Sequence, residues 1–264
     1  MTASLIPQVL ADGKVLVSRD GPVQTIIVNR PEVRNALDND AARALAAAFA
    51  AFDADDTARV AVLTGAGGAF CSGADLKALG AGVDYFPWAG SDDGPLRAPP
   101  SKPLIAAIEG HACAGGLGLA LFCDIRVVDE TAVFGVFSRR WGVPMSDGTT
   151  VRLPRIVGMG RALDMLITGR AVGADEAVAI GLASRKVGRG RTRAEAEKLA
   201  REIAGFPQIA LRSDRRSTYE AFDRDQAAAL RREMELSLEA RRVEAQGGAA
   251  RFAEGAGRHG SFKD

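Results

Sequence analysis

The chain is poor in the residues from which most catalytic and metal centres are built. It has two histidines, His111 and His259, and neither is spaced from cysteine or carboxylate as a metal site requires. Its three cysteines, Cys71, Cys113 and Cys123, sit in apolar or glycine-rich surroundings and form no disulfide framework, so they read as buried free thiols in a reducing cytoplasm. No GxSxG elbow and no GxxxxGK[ST] phosphate loop occurs, and "GAGGAF" lacks the third glycine of a dinucleotide fingerprint. A Ser–His–Asp enzyme, a zinc hydrolase and a dinucleotide-dependent oxidoreductase are all disfavoured. Neither a metal nor a separate cofactor is expected.

A charge excess is also missing. Lysine and arginine number 34 against 33 acidic residues, a net charge of +1. No bulk attraction to nucleic acid or to an anionic membrane follows, so neither is expected as a partner. "MTASLIPQVLADGKVLV" has no basic segment ahead of a long apolar run, and no signal peptide is expected. No unbroken apolar run reaches the roughly 18 residues of a membrane span. The ligand is expected to be a small molecule held locally.

What is present is an α/β pattern. The 264 residues fit one large domain or a domain with a subdomain, and 47 % apolar with 25 % charged residues is ordinary for a globular chain. "VLVSRDGPVQTIIVNRP" reads as a hairpin about "RDGP". Asp38 then caps an alanine-rich helix running through Phe52. "RVAVLTG" and "PLIAAIEG" are short continuous apolar strands of the kind buried on both faces. Each leads through a glycine-rich loop into a helix: "GAGGAFCSGADLKAL" after the first, "GHACAGGLGLAL" after the second. The stretch from Ala81 to Lys102 has no period and reads as a long mobile surface loop near the ligand. "DIRVVDETAVFG" supplies two more strands. Beyond residue 150 the pattern is helical, and from Thr192 onward it consists of amphipathic helices.

The two glycine-rich loops carry the chemistry. Each places backbone N–H groups at a helix entry, where they lack intrahelical partners and the dipole is positive. On adjacent strands, the two loops could direct one N–H each at a single oxygen, an oxyanion hole for an enolate or a tetrahedral intermediate. The alternative is that the glycines serve tight turns only.

These same stretches, with "NRPEVRNAL", "VLTGAGGAFCSGADL", "PLIAAIEGHACAGGLGLALFCDIRV", "AVFG", "RLPRIVGMGRALDMLITGR" and "AVAIGLASRKV", resemble the crotonase family, the enoyl-CoA hydratase/isomerase superfamily, over nearly the whole chain. The resemblance implies a spiral core of ββα repeats, taken here as residues 1–195, and a C-terminal helical region, 196–264, that trimerises. It implies an acyl-CoA thioester as ligand and a homotrimer or dimer of trimers. By position, the amides of Ala74 and Gly115 would hold the thioester oxygen. Arg34 and Ala36 would line the adenine and phosphate end, and Lys263 or Phe262 would reach a neighbour's CoA.

The chain departs from the family at its acid/base pair. The hydratases of the family deliver water with two glutamates. One of those positions, three residues after Gly115, is Gly118 here, and the other is Ser138. Neither residue is a general acid or base near neutral pH. Asp147, in "RRWGVPMSDGTT", lies within one residue of the position where dienoyl-CoA isomerases and a dehalogenase of the family carry a working aspartate. It reads equally as that acid/base or as a helix cap. Arg139 and Arg140 would favour a carboxylate-bearing substrate if they faced the pocket, and otherwise make surface or inter-subunit ion pairs. Trp141 and His111 read as structural, and Glu109 as a salt-bridge or backbone contact. Isomerisation or other single-base chemistry is therefore expected ahead of hydration, with a non-catalytic acyl-CoA binder as the alternative.

Overall fold

A computed structural model of the chain describes residues 7–84, 86, 88–92 and 94–257. The described elements fall into two compact units that divide after Ala204.

In the first unit, β1 (Gln8–Leu10), β2 (Val15–Asp20) and β3 (Val23–Val28) form an antiparallel meander, with the expected hairpin joining the last two. Helix α1 (Asn39–Ala54) follows. The Asp38 carboxylate accepts from the Ala41 amide at 2.9 Å, which is the cap read from sequence. Its stripe of Ala41, Leu45, Ala48, Phe49 and Phe52 recurs at helical spacing and is buried. At its far end the buried Lys102 donates from Nζ to the carbonyls of Phe52 and Asp55 at 2.8 and 2.7 Å, satisfying the orphan acceptors of the last turn.

β4 (Val60–Gly65), α2 (Leu76–Gly80), β5 (Leu104–Ile108), β6 (His111–Cys113), α3 (Gly115–Phe122), β7 (Ile125–Val128) and β8 (Val133–Gly135) complete the strand-rich part. β3, β4, β5 and β7 pair in parallel, so both faces of these strands are covered, and β5 (LIAAI) is buried at every residue. After each of β4, β5 and β7 the chain makes a second, shorter pairing before its helix. Cys71 bridges Ala112, and β6 pairs β8 in parallel. Strand, short strand and helix thus recur as the spiral of ββα repeats.

α4 (Thr149–Val157), α5 (Met159–Thr168), β9 (Val172–Gly173), α6 (Ala174–Ala179), β10 (Arg185–Lys186) and α7 (Thr192–Ala204) finish the unit. Several strands had no clear sequence signal. β9 and β10 are two residues each, and β1 and β6 only three, too short for any period to register. β10 nevertheless closes the seven-stranded sheet beside β7, giving the order β1-β2-β3-β4-β5-β7-β10. Helix α7 packs on β3, β4, β5 and β7, and the Thr192 hydroxyl donates to the Glu109 carboxylate at 2.9 Å. It belongs to the core rather than to the C-terminal helices, so the boundary lies after Ala204 instead of at 195.

The second unit contains α8 (Gln208–Ala221), α9 (Gln226–Ala240) and α10 (Gln246–Ala253), with a π-helical turn at Arg241–Ala245 between the last two. α8 packs on α9. α8 has Pro207 before it and no capping side chain of its own. The Glu244 carboxylate takes the amides of Ile209 and Ala210 at 3.1 and 2.9 Å instead, an acid placed at the positive helix end. Among the described residues no helix is long and apolar enough to cross a membrane.

Candidate active site

The opening of α3 is built almost without side chains, and three glycines leave room for three different neighbours. A Cβ on Gly116 would stand 1.9 Å from the Cys71 carbonyl oxygen, so only glycine lets α3 pack onto the first loop. A Cβ on Gly115 would stand 2.3 Å from the Trp88 ring. A Cβ on Gly118 would stand 2.6 Å from the Asp147 carboxyl carbon and 2.9 Å from its Oδ2. The space beside Gly118 is therefore occupied by the carboxylate of another residue.

Ala114, which precedes the helix, holds φ 48° and ψ −121°, a region that disfavours any residue with a Cβ. Its own amide is engaged with the Gly135 carbonyl at 2.8 Å. The bend leaves the Gly115 amide as the first helical donor. Neither it nor the Ala74 amide donates to any acceptor among the described residues. The two loops touch: a Cβ on Gly73 would lie 3.0 Å from the Gly115 nitrogen.

Both amide-bearing residues line one cavity of about 370 Å³, together with Arg34, Ser72, Trp88, His111, Ser138, Trp141 and Asp147. Two backbone donors at a positive helix end can hold a developing oxyanion. Asp147 is only 3 % exposed. Burial raises its pKa above the ordinary aspartate value of 3.8, opposed by contacts with Thr149. Its Oδ1 accepts from the Thr149 amide at 2.9 Å, while Oδ2 is turned toward Gly118. The cap of α4 is Gly148, not Asp147. One oxygen of the carboxylate holds the Thr149 amide at the start of α4, and the residue lines the cavity.

The remaining sequence candidates separate. Arg34 lines the cavity in the left-handed conformation, φ 52°. Ala36 is buried, away from the cavity lining, and its carbonyl accepts from Arg30. Lys263 and Phe262 lie outside the described residues. Arg139 and Arg140 do not line the cavity: Arg139 donates to the Leu166 carbonyl at 3.2 Å, and Arg140 stacks 5.1 Å from the Phe137 ring centre. Ser138 does line it, and among the described residues its hydroxyl reaches only the Met145 sulfur, at 3.4 Å. Trp141, read as a packing residue, is 71 % exposed and lines the cavity. His111 also lines it, with its pKa lowered by burial and by Arg34, which favours the neutral imidazole. The thiols of Cys71 and Cys113 are pushed up to about 12 by burial and are poor nucleophiles at neutral pH.

Two features escaped the sequence reading. Asn35, fully buried in "RNAL", accepts from the Arg30 amide at 2.8 Å. It also donates to the carbonyls of Ala66 and Ala69 at 2.8 and 2.6 Å, fixing the first glycine loop. The described residues of the segment 81–102 are irregular, as expected, but they are not only surface: Phe86, Trp88, Leu96 and Lys102 are all buried.

Residues 19–263 match the family model described as enoyl-CoA hydratase/isomerase. The chain belongs to the enoyl-CoA hydratase/isomerase family. Among curated proteins, an enoyl-CoA hydratase of Mycobacterium tuberculosis is 37 % identical over 212 residues, 78 % of this chain and 80 % of that one. A protein of Rhizobium meliloti named as a probable enoyl-CoA hydratase is 40 % identical over 201 residues, covering 73 % and 76 %. The crystal structure of an enoyl-CoA hydratase from Mycobacterium marinum superposes with a TM-score of 0.86 at 33 % identity, covering 91 % of this chain and 96 % of that one. The crotonase fold and the acyl-CoA metabolism of the family thus rest on sequence and architecture together.

Proposed function

We propose that this family member acts on an acyl-CoA thioester, holding an enolate oxygen with the amides of Ala74 and Gly115 and moving a proton with the single carboxylate of Asp147, and that it isomerises a double bond in preference to hydrating one. The observation that carries the reading is the position of Asp147. Its carboxylate fills the space beside Gly118, and the residue lines the same cavity as two amides that have no acceptor among the described residues.

With a 3-enoyl-CoA, ionised Asp147 takes a proton from the carbon next to the thioester. The electron pair moves to the thioester oxygen, where the two N–H groups and the α3 dipole stabilise it. The protonated Asp147 then returns its proton to the γ carbon and the double bond shifts into conjugation. No atom is gained or lost. Hydration needs one group to activate water and a second to protonate carbon, and neither Gly118 nor Ser138 can serve. Arg34, on the cavity lining, supplies positive charge for the phosphate end of CoA. The active form is a homotrimer or a dimer of trimers.

The test is a pair of assays on the same preparation. A 3-enoyl-CoA is expected to be converted to the conjugated 2-enoyl-CoA, followed by ultraviolet absorbance, while crotonyl-CoA is hydrated poorly. Crotonyl-CoA hydration at around 10 per second or faster, a typical enzyme rate, would contradict the proposal. Tight binding of both esters with no turnover of either would make the chain a non-catalytic binder.

A further inference from the structure

The segment 81–102 contributes one large side chain to the lining of the cavity. Trp88 is 2 % exposed, and its ring closes against the α-carbon side of Gly115. It lines the main cavity and also a second cleft, lined in part by Leu37, Leu79 and Val83, whose free volume is only about 10 Å³. That is about the room one water needs. Trp88 and Ala74 are common to both linings, so the indole stands between a cavity with room for a ligand and one without.

The indole is also held in place. The Trp88 carbonyl accepts from the Leu96 amide at 2.7 Å, and the Ala89 amide donates to the Ser146 carbonyl at 3.2 Å. Arg152 joins the two segments: it donates to the Leu96 carbonyl at 2.6 Å and to the Asp147 carbonyl at 3.1 Å. The wall formed by Trp88 is tied to the segment that carries Asp147 by one backbone hydrogen bond and by the Arg152 side chain.

We propose that Trp88 is the specificity-determining residue for acyl length, ending the acyl site just beyond the Gly115 amide and restricting the protein to short acyl groups. This rests on the acyl-CoA reading of the cavity and is independent of which reaction follows. A straight chain long enough to reach the ring would have to displace it, and a chain that stops short of it keeps its apolar contact. Each methylene that finds an apolar site is worth about fourfold in affinity, so loss of the wall has a large and graded signature.

The test is the affinity, by calorimetry, of butyryl-, hexanoyl-, octanoyl- and decanoyl-CoA for the full-length protein and for Trp88→Ala. The wild type is expected to bind butyryl-CoA at least as tightly as octanoyl-CoA. Trp88→Ala is expected to reverse the order, raising the octanoyl-to-butyryl preference at least tenfold. Trp88→Phe, which keeps a ring at the wall, is expected to lie between them, and Trp88→Leu takes the place of the alanine variant should that one not fold. The same length profile in wild type and variants would overturn the proposal while leaving the acyl-CoA reading intact. A wild type that binds no acyl-CoA of the series would overturn both.

Discussion

The two oxygens of Asp147 meet different neighbours, and its pH behaviour follows from burial. Desolvation raises its pKa above 3.8, so the base form is depleted at a pH where an exposed aspartate is fully ionised. The rate is expected to fall on the acid side through a pKa above the ordinary aspartate value. Stability carries the opposite slope. Between 3.8 and the raised folded value, the unfolded chain has released this proton and the folded chain retains it, so the contribution of Asp147 to stability declines as pH rises through that window. Asp147→Asn keeps an acceptor for the Thr149 amide but has nothing to ionise. Its melting temperature, relative to wild type, is expected to rise as the pH is taken up through the window, while activity is lost. A difference between the two melting curves that is constant with pH would contradict the burial argument. That Asp147 is a candidate at all was legible in the sequence, because its loop follows the vacated Ser138 position. Its surroundings were not: only the structure shows that Gly148 rather than Asp147 caps α4, and that the carboxylate lies against Gly118, 29 residues earlier in sequence, while holding the Thr149 amide.

At the scale of the element, α3 and its glycine loop do their work with backbone, and this governs how they can be probed. Gly115→Pro would remove the amide donor, but any Cβ at 115 also strikes Trp88, so its effect mixes two causes. Changing the ligand is cleaner. S-butyl-CoA, a thioether lacking the carbonyl oxygen of butyryl-CoA, is expected to bind roughly tenfold more weakly, the yield of two hydrogen bonds at about 0.5–1.5 kcal/mol each. Equal affinities would mean that the amides of Ala74 and Gly115 do not meet the thioester. The existence of α3 and of both loops was readable from glycine placement and apolar runs. The segment 81–102 was not. With no period, its buried anchors Phe86, Trp88 and Leu96 could not be told from exposed ones. Their burial depends on partners such as Ser146 and Arg152, far along the chain.

For the whole molecule, the repeated strands of the first unit were visible in sequence because β4 and β5 are continuous apolar runs. The division of the chain was less so. α7 has the same amphipathic pattern as the helices after it, and periodicity does not say which surface an apolar stripe meets. In the second unit Phe222, Leu230, Met234 and Leu238 are each more than half exposed in the single chain. Large apolar side chains left in water at this density mark an interaction surface. Light scattering at micromolar concentration is expected to give three or six times the 27.6 kDa of one chain. A stable species at 27.6 kDa would contradict the assembly proposed above.

The central claim is that this cavity makes a thioester enolate with one carboxylate. Hydrogen–deuterium exchange at the α carbon of butyryl-CoA, followed by NMR in heavy water, reads that step directly, whatever double-bond chemistry the natural substrate undergoes. The wild type is expected to catalyse the exchange, and Asp147→Asn to lower its rate by roughly 10²–10⁴, the usual worth of a general base. Exchange at the same rate in folded Asp147→Asn, or no catalysed exchange by the wild type, would contradict it.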